Sequence, residues 1–138
     1  MLSKIKELDP YPEGERDGYS VEENRAMQRA SIQLFERWGL TDAQAATLLG
    51  GISSKTFSRW KKGEYGRLTI DQSDRLSHLL GIHKALRILF QEPNRFYGWI
   101  QRENEVFGGR SALEVMLGGH MRDLERIRHY LDSVRGGW

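Results

Sequence analysis

Apolar residues recur along this chain at intervals of three and four, the period of a helix with one buried face. Strand-like alternation of useful length is absent from the sequence. The first stripe runs Met27, Ala30, Ser31, Leu34, Phe35, Trp38, opened by a capping box of Ser20 with Glu23 and ended by Gly39. The longest stripe is Leu76, Leu79, Leu80, His83, Leu86 and Phe90, on a helix capped by Thr69 with Gln72, and Gly81 is the point at which it could kink. Pro93 suits a first helical turn, and Arg95 to Arg102 is expected to be a short helix with Phe96, Trp99 and Ile100 inward. Ser111 with Glu114 opens Ala112 to Leu117, and a last helix carries Met121, Leu124, Ile127, Tyr130, Leu131 and Val134. Four Gly-Gly pairs fall at the predicted boundaries. The expected fold class is all-α: a helix-turn-helix N-terminal part with a small C-terminal helical domain.

Between the first and longest stripes lies the stretch around which the chain is organised. Thr41 and Gln44 form a capping box, Ser53 caps a second short helix, and Gly50-Gly51 between them supplies the positive-φ residues of a tight turn. This is the pattern of a helix-turn-helix. In the second helix Phe57 and Trp60 face inward and leave Ser54, Lys55, Ser58, Arg59 and Lys62 as an outward stripe. Small hydroxyls with Lys and Arg suit a major groove, where cations meet phosphates and an Arg can pair bidentately with guanine. Arg59 and Lys55 are the candidates for base edges, and Lys61, Lys62 and Arg67 for phosphates. A basic outer face can also be no more than a solvated one.

Composition adds limits. The 138 residues are 38% apolar and 29% charged, enough for one domain or two small ones sharing a core. The expected division is an N-terminal arm at 1–19, a helix-turn-helix region at 20–68 and a helical dimerisation and partner-binding domain at 69–138. The net charge of +2 is small, but it is segregated. From Ser53 to Arg67 five bases face the single acid Glu64, whereas from Met1 to Glu22 six acids outnumber three bases. No cysteine is present, no run has the length of a membrane span, and the N-terminus lacks a signal peptide's apolar core, so a cytoplasmic location is expected. His78, His83, His120 and His129 do not pair at metal-binding spacing, and no nucleophile elbow or Walker loop occurs. The expectation is a protein with no catalytic residues, metal or cofactor, in which His83 is a hydrogen-bonded core residue.

From Ala46 to Gly63 the chain resembles the Xre class of helix-turn-helix regulators, with Gly-Gly where the common turn has one Gly. Residues Phe107 to Leu117, the end Tyr130 to Trp138, and Leu80 to Phe90 look like the C-terminal toxin-binding domain of Xre/MbcA/ParS-type antitoxins. The resemblance implies a cognate RES-domain toxin that consumes NAD, operator DNA, and an antitoxin that autorepresses its operon while plugging the toxin's active-site cleft. The residues expected at the toxin are Arg110, Ser111, Arg128, Tyr130, Arg135, Gly136, Gly137 and Trp138. On the residues alone, Arg135 to Trp138 is either a glycine-hinged aromatic plug or a frayed end whose Trp folds back. A homodimer is expected because the Leu76 to Phe90 stripe is long for so small a core. A toxin-antitoxin hetero-oligomer would follow, and the alternative is a plain dimeric repressor with no toxin partner.

Overall fold

Most of the helices start where a side chain three residues away holds a free N–H of the first turn. In the computed structural model, which describes residues 19–136, α1 (Val21–Arg37) begins at Ser20, whose hydroxyl accepts from Glu23 N–H while the Glu23 carboxylate accepts from Ser20 N–H. The same reciprocal box starts α2 (Asp42–Leu48) at Thr41 and α4 (Ile70–Leu89) at Thr69. Ser53 caps α3 (Ser54–Lys61) by accepting from Thr56 N–H at 3.0 Å. Beyond α4 come α5 (Pro93–Gly98), 3-10 turns at Trp99–Gln101 and Glu105–Phe107, α6 (Ala112–Met116) started by the Ser111 and Glu114 box, and α7 (Met121–Val134). Among the described residues the only strand-type pairing is an isolated bridge between Glu103 and Ser111, so the fold is all-α.

The turn of the helix-turn-helix uses both glycines. Gly51 N–H reaches back to Ala46 carbonyl at 2.9 Å and Gly50 N–H to Thr47 carbonyl at 3.1 Å, with φ of 90° at Gly50 and 84° at Gly51. This closes α2 and redirects the chain into α3. A Cβ on Gly50 would come within 3.0 Å of the Arg75 side chain, whereas one on Gly51 would meet open space.

Aromatic side chains join α1 to α3. Phe35 lies 6.1 Å from Trp38 and 5.8 Å from Phe57, which lies 5.8 Å from Trp60, and all four are buried. Burying an aromatic or large aliphatic side chain stabilises by roughly 1.5–3 kcal/mol, so this cluster fixes the pose of α3. On α4, Leu76, Leu79, Ile82 and Leu86 are fully buried, with α1 on one side and Leu124, Ile127 and Leu131 of α7 on the other. One core therefore runs through both halves, with α4 as its shared spine.

Several details depart from the expectation. Helix α4 runs without interruption past Gly81 to Leu89. The helix expected from Arg95 to Arg102 is instead α5 followed by a 3-10 turn. Ala30 and Val134 are exposed, and Leu80 and Phe90 are only partly buried. Several buried positions are instead polar. Gln28 is buried and donates to Tyr65 carbonyl at 2.9 Å, and Ser73 donates to Asn24 at 2.7 Å. Arg75 is 8% exposed and donates to Asp71 and to Gly119 carbonyl, each at 2.9 Å. The stripe from Leu76 to Phe90 is largely covered within one protomer, which removes that argument for a dimer.

Candidate functional site

Helix α3 presents its polar stripe because its apolar side is fully committed. Phe57 and Trp60 are buried, and Ser54, Lys55, Arg59 and Lys62 are exposed, with Ser58 half-buried between them. Lys55, Arg59 and Lys62 stand one turn apart, and among the described residues none has a carboxylate within ion-pair distance. Lys61 differs. Its ammonium lies 2.6 Å from Asp42 at the start of α2 and 5.7 Å from the Phe57 ring centre, so it ties α3 to α2. Arg67 is exposed in the loop after α3, on a cavity of about 220 Å³ that Arg25 of α1 also lines, and the Gln28 bond to Tyr65 carbonyl holds this loop in place.

The described C-terminal candidates each have their own local partners. The Ser111 hydroxyl is buried and already accepts from Glu114 N–H at 3.1 Å. Arg128 is half-buried between α7 and α4, donating to His78 Nδ1 at 3.2 Å and toward Ser77 carbonyl at 3.4 Å. Arg110 is exposed, with Nε 3.4 Å from Phe107 carbonyl. Arg135 is exposed and lies 4.0 Å from Asp132, and Gly136 follows it with a φ of 81°. Gly137 and Trp138 lie outside the described residues, as does the arm up to residue 18. Tyr130 is half-buried and stacks on Trp99, with ring centres 6.3 Å apart and planes 12° apart.

Residues 17–81 match the Antitoxin Xre-like helix-turn-helix domain, and residues 85–137 match the Antitoxin Xre/MbcA/ParS C-terminal toxin-binding domain. The chain belongs to the Xre-type antitoxins. The antitoxin is also 46% identical over 108 residues, 78% of its own length and 83% of the relative's, to a Sinorhizobium fredii (strain NBRC 101917 / NGR234) protein described as "Uncharacterized protein y4oB". The two family matches meet inside α4, the helix that both halves bury. Membership assigns the antitoxin to a family of binding proteins rather than enzymes, with a helix-turn-helix for DNA and a domain for a cognate toxin.

The two half-buried histidines of the antitoxin are structural. Burial, and then the Arg128 guanidinium, hold His78 below its ordinary pKa, against smaller opposing effects of Glu125 and Asp74. Burial, and then Arg87, do the same for His83. His83 is not the hydrogen-bonded core residue expected of it: among the described residues its buried Nδ1 has no partner, and it stacks on Tyr97 at 5.4 Å. Stacking on a ring does not require a hydrogen-bond donor, which is why apolar periodicity could not separate the two cases. Among the described residues no cluster of His, Asp or Glu is arranged to hold a metal, and no helix is long and apolar enough to cross a membrane. The sequence reading also assigned Trp99 to the interior, whereas the structure leaves it half-buried beside Tyr130.

Proposed function

We propose that the antitoxin binds a cytoplasmic, NAD-consuming toxin of the RES class, covers its active-site cleft, and represses the operon that encodes both. The observation that carries this reading is the pairing of a cationic recognition helix with a toxin-binding domain on one continuous helix, α4. Arg59 and Lys55 are assigned to base edges, Ser54 and Ser58 to close approach in the groove, and Lys61, Lys62 and Arg67 to phosphates. On the toxin side Arg110, Tyr130, Arg135 and the tail Gly136, Gly137 and Trp138 are the proposed contacts. Ser111 and Arg128 contribute from within, Ser111 by starting α6 and Arg128 by bracing α7 against α4.

A homodimer would place two recognition helices on successive turns of DNA, roughly 34 Å apart, and calls for an inverted-repeat operator. Ile88 of α4, 56% exposed and not part of the apolar stripe of that helix, is apolar surface available for such pairing. The alternative of a plain dimeric repressor leaves the match at residues 85–137 without a role.

The test is to express the neighbouring toxin gene with and without the antitoxin and follow growth and cellular NAD, while measuring binding of the antitoxin to its own promoter. Restored growth with preserved NAD, together with salt-dependent promoter binding, is expected. Growth arrest with unchanged NAD would remove the RES assignment, and promoter binding no tighter than to random DNA would remove autorepression.

A further inference from the structure

The toxin-binding domain has an aromatic platform on its surface that the described residues cover only in part. Trp99 and Tyr130 stack, and Phe107 meets both edge-on, at 6.2 Å and 83° to Trp99 and 5.4 Å and 75° to Tyr130. Phe107 is the buried floor, and the two stacked rings are half-buried above it. Val106 on one side is 50% exposed, and Val134, one helical turn beyond Tyr130, is 52% exposed. Arg126, one turn before Tyr130, lies 5.5 Å from the Phe107 ring centre and 3.4 Å from Val106 carbonyl.

We propose that this platform, centred on Trp99, Tyr130 and Val106, is the surface on which the body of the toxin docks. The inference rests on the toxin-binding reading and specifies where it acts. Rigid aromatics already held by neighbouring rings lose little freedom on binding, and a central aromatic patch with an Arg beside it is the composition of an interface hot spot. The occupant is the toxin because every residue of the platform lies in the stretch that matches the toxin-binding domain, and because α7 ends at Val134, where the chain leads into its tail. The toxin face that fits would carry apolar side chains for Trp99 and Val106 and a carboxylate for Arg126.

The experiment titrates the purified toxin of the neighbouring gene with full-length wild type, Val106→Glu and Trp99→Ala, with melting curves and promoter binding for each. Val106→Glu places a charge at an exposed site. It is expected to melt like wild type, bind the promoter unchanged and lose at least about tenfold in toxin affinity, with a larger loss for Trp99→Ala. Wild-type toxin affinity in a folded Val106→Glu variant would overturn the platform, whatever Trp99→Ala does. Wild type that binds no toxin would overturn the underlying reading as well. A Val106→Glu variant that turns a dimer into a monomer while keeping toxin affinity would assign the face to a second copy and overturn the proposal.

Discussion

The guanidinium of Arg128 on α7 rests against the bare Cα of Gly81 on α4. A Cβ on Gly81 would lie 2.6 Å from Arg128 Cζ, so the absence of a side chain at 81 is what lets the two helices close over a charged group. Replacing Gly81 by Ala gains roughly 1 kcal/mol of helix propensity. It displaces Arg128 from two long bonds, each worth about 0.5–1.5 kcal/mol. Two such bonds sum to about 1–3 kcal/mol, so a net destabilisation of roughly 0–2 kcal/mol is expected by urea denaturation. The sharper readout is His78, whose pKa should rise toward 6.5 as the Arg128 charge moves away. An unchanged His78 titration by NMR would show that Arg128 had not moved.

At the helix-turn-helix, Lys55, Arg59 and Lys62, which have no ion-pair partner among the described residues, and the paired Lys61 should behave differently. Arg59→Ala should cost on the order of 1–3 kcal/mol and relax specificity at one base position. Lys62→Ala should weaken all sequences alike and lower the salt slope by about 1. Lys61→Ala should weaken DNA binding less than Lys62→Ala, because Asp42 already holds that ammonium. Fluorescence anisotropy on promoter and scrambled duplexes at several salt concentrations checks all three. Equal losses at 61 and 62 would mean that Lys61 leaves Asp42 for the DNA.

Arg75 joins Asp71, Gly119 carbonyl and the turn at Gly50, and so links the DNA-binding half to the loop before α7. Hydrogen bonds to a charged group contribute about 1.5–3 kcal/mol, and Arg75→Ala should destabilise by an amount in that range. Chemical denaturation measures it, and a loss below about 0.5 kcal/mol would show that water replaces the guanidinium at Gly119.

Cutting the chain after Arg135 removes Gly136, Gly137 and Trp138 and leaves every buried core residue among the described residues in place. Melting temperature and promoter binding should stay near wild type while protection against the toxin falls. Equal protection by the truncated protein would transfer the whole of the inhibition to the helical surface.

Stability should fall as pH drops below about 6.5. His78 and His83 have folded pKa values below the ordinary 6.5, so between those values the unfolded chain binds more protons and folding loses free energy. The contribution is fully present above pH 6.5 and declines until the pH passes the folded values. Denaturation midpoints at pH 7.5 and 5.5 should differ more for wild type than for a His78→Gln, His83→Gln double variant. Identical differences would place the pH dependence in other groups.

How much was legible in the chain follows from the range of each interaction. The capping boxes at Ser20, Thr41, Thr69 and Ser111 act over three residues, and the positive-φ glycines act within one turn, so helix starts, the helix-turn-helix and the outward stripe of α3 could be read directly. Gln28 and Arg75 were invisible because their partners lie 37 and 44 residues away, and polar groups enter a core only where a distant backbone carbonyl awaits them. Arg128 read as a surface contact for the same reason, and Gly81 as a kink, because nothing local reports that another helix will lay a side chain across it. Trp99 and Tyr130 share one helical pattern with true core residues, and only the packing of the 3-10 turn at Trp99 against α7 decided how far each is buried. Periodicity and caps thus determined the elements and the outward side chains of α3. The tertiary structure decided which polar groups go inside and which aromatics stay at the surface, because burial depends on what arrives from elsewhere in the chain.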